Sequence, residues 1–398
     1  MPLEKNIYLD NHATTPVDPR VRDAMWPFFC EHFGNPGSRH RFGEQAQAAV
    51  DQARASIARQ IGASAREIVF TSGATESNNL AIRGVCERPR RRGNHLISVV
   101  TEHKAILDPL AKQARRGLEV TYLPVQPAGS RQAGRIDPDE LAAAIREDTL
   151  LVTVMLANNE IGVLQPLAEI GRLCRDRGVL LHSDATQAVG RLPVDVGELN
   201  VDMMSFSAHK FYGPKGIGAL YVARRTPRVR LESQVDGGRQ QAGLRSGTLN
   251  VPGIVGMARA LELAVQEMKA ESQRLAALRD RLFHELVQRI PEVERNGPAL
   301  DDPRLRLAGN LNCSFGDVEG EALMMCMPEV AVSSGSACSS FDVSPSHVLT
   351  ALGLEADRAR ASLRFGLGRF NTAEDVTYVI QALTDAVHRL RTLGTPPV

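Results

Sequence analysis

The sequence predicts an α/β protein: a large domain with a mostly parallel sheet covered by helices on both faces, followed by a smaller α+β domain. Three observations carry this. Between about residues 45 and 202, amphipathic helical spacing alternates with short apolar runs of strand length, which is the pattern of βα units. After Pro252 one long run keeps helical apolar spacing through Ile254, Met257, Leu261, Val265, Met268, Leu275, Leu278 and Leu282. It is expected to link two domains. Beyond Pro291 the pattern turns into short strands and helices of mixed order.

Taken in order, the spacing predicts a helix over 45–61, a strand at 68–71, a helix at 75–85 and a strand at 96–100. Further strands are expected at 120–123, 150–156, 179–183, 203–207 and 218–222. In such a sheet ligands sit at the carboxyl ends of the strands. The stretch Gly213-Pro214-Lys215-Gly216-Ile217-Gly218 lacks the Gly-Lys-Ser/Thr ending of a nucleotide loop, and reads as a turn between strands. The second domain is expected to hold strands at 309–315, 331–333 and 361–365. Its helices are expected at 320–327, after a Ser344-Pro345 cap, and at 373–393. With the strand-like 7–9 assigned to it, the boundaries become 16–260 for the large domain, and 1–15 with 261–398 for the small one.

Composition narrows the function. The chain has 398 residues, 43% hydrophobic, with a formal net charge of +1, so a large soluble core is expected and no nucleic-acid partner. The one basic run, 88–92, reads as a solvated loop. No apolar stretch is long enough to span a bilayer and no signal-peptide core follows Met1, so a cytoplasmic location without membrane association is expected. Six cysteines lie far apart without a Cys-x-x-Cys pair, and the ten histidines show no ligand spacing. Neither a disulfide framework nor a metal site is expected. Most of these thiols read as small buried hydrophobes. Cys338 differs, because small polar residues from Val332 to Ser340 surround it and cannot build a core wall. It reads as a thiol on a mobile loop.

The chemistry gathers at three predicted strand ends. Ser207-Ala208-His209-Lys210 sets a lysine beside a hydroxyl and an imidazole where the strand at 203–207 runs out, and such a lysine can hold an aldehyde cofactor. Asp184 closes an earlier strand; a carboxylate there keeps a pyridinium nitrogen protonated. The turn Thr71-Ser72-Gly73-Ala74-Thr75 leads from strand to helix, offering backbone N–H donors and a helix N-terminus to a phosphate. Thr75 is expected to serve as both helix cap and phosphate ligand. Each feature alone has a commoner reading, a solvated lysine or an ordinary capped turn. Together they form the pattern that binds pyridoxal 5'-phosphate.

With these pieces placed, nearly the whole chain resembles the cysteine desulfurases of the iron-sulfur assembly and nitrogen-fixation type, in the class V aminotransferase family. The resemblance rests on Tyr8-Leu9-Asp10-Asn11-His12-Ala13-Thr14-Thr15-Pro16, Phe33-Gly34-Asn35-Pro36, the 71–77 turn, Thr101-Glu102-His103-Lys104 and Asn158-Asn159-Glu160-Ile161-Gly162. It continues through Asp184-Ala185-Thr186-Gln187, Ser207 to Lys210, Arg245-Ser246-Gly247-Thr248, Ser333 to Cys338, and Ser362-Leu363-Arg364. It implies the aspartate aminotransferase-like fold, pyridoxal-phosphate fold type I. By the same resemblance Lys210 would be the Schiff-base lysine, Asp184 the pyridinium partner, Gln187 a donor to the phenolic oxygen, and His103 a catalytic residue stacked on the ring. Ala74, Thr75, Ser207 and His209 would hold the phosphate, joined by Thr248 across a homodimer. Asn159, Arg364 and Asn35 would take the substrate, L-cysteine. Cys338 would be the nucleophile that removes its sulfur, leaving L-alanine and a persulfide, and would pass the sulfur to an acceptor protein such as an iron-sulfur scaffold. The alternative is a selenocysteine lyase or another β-eliminating pyridoxal-phosphate enzyme.

Three departures from the pattern of related enzymes stand out. Gly237-Gly238-Arg239-Gln240-Gln241-Ala242-Gly243 replaces their usual Gly-Gly-Gly-x-Glu-Arg-Gly, and Asp10-Asn11-His12 replaces the Asp-Tyr-Ser of many housekeeping members. The short stretch after the last helix leads to the expectation that their scaffold-docking tail is absent.

Overall fold

Apolar runs between turn signals fold into a seven-stranded central sheet. The computed structural model describes residues 6–88, 93–225, 229–334 and 345–394. After a short β1 (Ile7–Tyr8) come β2 (Ile68–Thr71), β3 (His95–Val99), β4 (Glu119–Leu123), β5 (Thr149–Thr153), β6 (Leu180–Asp184), β7 (Met203–Ser207) and β8 (Gly218–Val222). The sheet order is β2-β8-β7-β6-β5-β3-β4. The pairs β7/β6, β6/β5, β5/β3 and β3/β4 are parallel, whereas β8 runs antiparallel to both of its neighbours. Two reversals restore direction, so β2 points the same way as β7. The carboxyl ends of β2, β6 and β7 therefore open on one edge of the sheet. Every residue of β2, β3, β7 and β8 is buried, as strands covered by helices on both faces require.

The long helix Val251–Arg289 is the longest element. Ile254, Met257, Leu261 and Ala264 pack into the core around the central sheet. Leu275, Leu278, Leu282 and Leu286 pack instead into a second cluster with Val376, Val379, Ile380 and Leu383 of the last helix, Ala373–Gly394. Over that second cluster lies an antiparallel sheet of β9 (Val293–Arg295), β10 (Asn310–Phe315), β12 (Ser333–Ser334) and β13 (Ser362–Gly366), in the order β12-β13-β10-β9. A short strand β11 (Val330–Ala331) pairs in parallel with β1.

Several elements differ from the sequence expectation. The helix expected from residue 45 starts at Arg41, because His40 caps it by accepting the Gly43 amide at 3.3 Å. Gly73, and not Thr75, holds the N-cap position of Ala74–Cys86, so Thr75 sits within the first turn. β5 ends at Thr153; Val154 to Leu156 stay buried, and the Val154 and Leu156 amides still donate to the His182 and Asp184 carbonyls of β6. The single strand expected at 331–333 is two, which join different sheets. Ser346 caps the helix His347–Ala351 through the Val348 and Leu349 amides, in place of Ser344, which lies outside the described residues. That helix belongs to a third apolar cluster, in which Val348, Leu349 and Leu352 meet Ile161 and Val163. Of the thiols expected to be buried, Cys86, Cys174 and Cys313 are, whereas Cys30 is exposed and Cys326 half-buried. Cys338 and most of the basic run 88–92 lie outside the described residues. Among the described residues no helix is long and apolar enough to cross a membrane, and no group of three or more His, Cys, Asp or Glu is placed to hold a metal ion.

Candidate active site

At the shared carboxyl edge of the sheet lies a cavity of about 650 Å³. Asp184 enters from the end of β6, Ser207 from the end of β7, and His209 and Lys210 from the short helical turn that follows. The 72–76 turn enters from the end of β2. The turn lies directly on the start of β8: a Cβ on Gly218 would stand 2.6 Å from the Gly73 Cα. Only glycine at 218 lets the two backbones approach so closely. The first-turn N–H groups of Ala74 and Thr75 have no acceptor within their helix, and Ala74, Thr75 and Ser207 all line the cavity.

Asp184 is buried and fixed. Its Oδ2 accepts from Asn78 Nδ2 at 2.7 Å and its Oδ1 from the Thr186 amide at 3.0 Å. Lys210 Nζ donates to the carbonyls of His12 (2.8 Å) and Ala13 (2.7 Å). Burial, then the positive charges of Arg191 and Arg364, push its pKa down to about 7. The neutral amine is therefore well populated near neutral pH. His103 caps the helix Lys104–Ala114, its Nδ1 accepting the Ala105 amide at 3.0 Å. That contact leaves the ring proton on Nε2, and burial lowers the pKa so that the neutral ring prevails. His209 is driven to about 4 by burial, then by Lys210 and Lys215, and its Nδ1 lies 3.1 Å from Thr14 Oγ1. Gln187 lines the same space. Its Nε2 donates to the His12 carbonyl at 2.8 Å.

Arg364, 5% exposed on β13, faces the cavity from the second sheet. One arm of its fork donates to Asp10 Oδ1 at 2.7 Å and the other to the Asn159 carbonyl at 3.2 Å. Its buried Nε has no partner among the described residues. Asn159 also lines the cavity. Asn35 and Thr248 do not reach the cavity within this chain. Asn35 Oδ1 accepts the Gly37 amide at 2.9 Å, closing a local turn, and Thr248 is exposed.

Sequence reasoning assigned no role to several residues found here. Glu102 is fully buried, and burial, opposed by the Met155 amide at 2.5 Å, raises its pKa well above the usual range. Its carboxyl oxygen pins the backbone of Met155, a wall of the cavity. Glu160 accepts from Ser346 Oγ at 2.5 Å, and His347 Nε2 lies 2.9 Å from the Glu102 carbonyl. These contacts tie residues 346–347 to the cavity floor. Asp10, His12 and Glu102 all stand in the sequence blocks that carried the resemblance, but periodicity gave them no task.

Comparison with known proteins bears on the family of the chain. Residues 7–379 match the aminotransferase class-V family. A cysteine desulfurase IscS from Anaeromyxobacter sp. (strain Fw109-5) is 54% identical over 389 residues, covering 98% of this chain and 94% of that protein. A human cysteine desulfurase is 50% identical over 394 residues, covering 99% and 84%. Among solved structures, a NifS-like protein superposes with a TM-score of 0.87 at 36% identity, covering 96% of this chain and all of that one. A structure described as SspA in complex with cysteine gives 0.79 at 36%, covering 92% and 100%. On sequence and fold together, the chain belongs to the aminotransferase class-V family.

Proposed function

We propose that this protein is a pyridoxal-phosphate-dependent cysteine desulfurase: it converts L-cysteine to L-alanine and receives the sulfur as a persulfide on Cys338. The observation that carries the reading is one cavity lined by Asp184, Lys210 and Arg364, from three separate elements. The cysteine desulfurase names of the relatives at 50–54% identity support it. The residues present fit the cofactor. A hydrogen-bonded carboxylate suits a pyridinium nitrogen, a depressed lysine amine suits an aldehyde, and a glycine turn with free helix N–H groups suits a phosphate. Thr186 Oγ1, buried in the cavity wall without a partner among the described residues, adds a polar group for a ligand. Asp184, Lys210, Gln187, Ala74, Thr75, Ser207, His209 and His103 are the residues proposed to hold it.

When bound, pyridoxal phosphate supplies an electron sink for the substrate's Cα bonds. The chain's own residues do the rest. Arg364, with Asn159 beside it, orients the substrate carboxylate. Lys210 Nζ, neutral near pH 7, takes the Cα proton. The Cys338 thiolate attacks the substrate sulfur: the S–S bond forms as the C–S bond breaks, and protonation of the carbon fragment completes alanine. Release of one alanine per cysteine consumed tests the reading; pyruvate in its place would sink it.

Arg364→Lys keeps a positive charge but loses the planar fork. It is expected to raise KM for cysteine roughly 10–100-fold while changing kcat less. Steady-state kinetics check this, and an unchanged KM would remove Arg364 from the substrate site.

The same reading makes the protein a homodimer in the cytoplasm that hands sulfur to an acceptor protein such as an iron-sulfur scaffold. Exposed Thr248 supports the dimer. So does an exposed aromatic group, Trp26, Phe29, Phe33 and Phe42, in which the Phe33 and Phe42 rings stack at 5.6 Å; apolar surface of this kind marks an interface. Light scattering is expected to give twice the chain mass, and a monomer that still binds the cofactor would overturn the dimer. Retention of a purified scaffold protein on the immobilised, sulfur-loaded dimer tests the acceptor; a scaffold that neither binds nor takes up sulfur counts against it.

A further inference from the structure

Arg191 follows the block that carries Asp184 and Gln187, yet the reaction described above gives it no task. All five of its N–H groups are used. Nε donates to the Lys210 carbonyl (3.2 Å), Nη2 to the carbonyls of Asn11 (2.6 Å) and Lys210 (3.0 Å), and Nη1 to His12 Nδ1 (2.5 Å) and Gln187 Oε1 (2.9 Å). The five bonds go to four acceptors, none of them a carboxylate. A guanidinium never loses its proton in a protein, so each partner must present a lone pair to it.

Two consequences follow. The Gln187 oxygen must face Arg191. The amide nitrogen is then on the other side, where it donates to the His12 carbonyl that Lys210 Nζ also uses. A flipped amide would set N–H against N–H at Arg191 and oxygen against oxygen at His12. Likewise His12 Nδ1 must be the bare nitrogen; it lies 3.1 Å from Gln187 Oε1, so Nη1 stands between two acceptors and holds them together, and the ring proton is on Nε2, a buried atom without a partner among the described residues. The His12 ring packs closely on Gly366, where a Cβ would stand 2.9 Å from His12 Cδ2. His12 is also where this chain departs from the Asp-Tyr-Ser of many relatives.

We infer that Arg191 is a positioning residue for the cofactor site: its fork fixes which way the amide of Gln187, a residue lining the cavity, faces while anchoring the Lys210 main chain. It acts on the cofactor through these two residues. Its charge, unneutralised by a bonded carboxylate, also favours the neutral Lys210 amine. The inference rests on the pyridoxal-phosphate reading.

The test is a double-mutant cycle on cofactor affinity in the full-length protein, Arg191→Met with Gln187→Ala. In the Gln187 background Arg191→Met is expected to weaken cofactor binding by about tenfold; in the Gln187→Ala background only the part carried by the Lys210 anchor remains, and the further loss should fall to about threefold. The pH at which the bound cofactor's visible band changes should rise in Arg191→Met and return towards wild type in Arg191→Lys, which restores the charge. A merely structural arginine would not produce that rescue. If Arg191→Met does not fold, Arg191→Lys in the same cycle decides, since a lysine with three N–H groups cannot serve all four acceptors. Equal losses in both Gln187 backgrounds would overturn the proposal while the cofactor reading stood. A wild-type protein without any visible band would overturn both.

Discussion

Lys210→Ala is expected to lower alanine formation from cysteine by at least about 10³-fold, because one substitution removes both the tether for the cofactor and the base for the Cα proton. Cofactor should still bind, but without a covalent link, so extensive dialysis strips it from the variant and not from wild type. The depressed pKa gives a second signature. Lys210 at about 7 is mostly charged below that pH and mostly neutral above it. Capture of pyridoxal phosphate by the apoprotein should thus climb about tenfold between pH 6 and 8 and level off above about 8. An ordinary lysine would keep gaining to beyond pH 9. A capture rate still climbing steeply there would show that burial and the Arg191 and Arg364 charges do not act on this amine as described.

Cys338→Ala is the other large effect. With the acceptor thiol gone, cysteine still binds and its Cα proton is still removed, but no S–S bond forms. Alanine production should fall on the order of 10³-fold or more, while the cofactor's visible spectrum and its response to added cysteine persist. Loss of turnover with retained cofactor separates Cys338 from the residues that hold the ring. If alanine production from cysteine were undiminished, the lyase reading would replace the desulfurase one.

Much of this architecture was legible in the sequence because its signals are local. A buried strand such as Met203–Ser207 is apolar along its length, and Ser207-Ala208-His209-Lys210 sits where that run must end. Asp184 was visible in the same way at the end of β6. What periodicity missed depends on contacts between distant segments. Nothing in Tyr8 to Pro16 says that the carbonyls of His12 and Ala13 will receive Lys210, nearly two hundred residues later, or that Asp10 will pair with Arg364. Thr75 has the higher capping propensity, yet the helix begins two residues earlier, with Gly73 at the N-cap where the turn lies against Gly218. The 331–333 strand was read as one because its residues share a pattern; Val330–Ala331 and Ser333–Ser334 part only because β1 and β13 offer two separate edges. Glu102 carried no signal of its fate, since a glutamate after a strand is ordinarily solvated and only the tertiary packing buries it.

The most direct test of the whole account is mass spectrometry of the purified protein after brief incubation with L-cysteine and no reductant, with peptide mapping of any added sulfur and assay of released alanine. The account predicts one additional sulfur on the peptide containing Cys338, matched by alanine. Alanine or pyruvate released with Cys338 unmodified would contradict it.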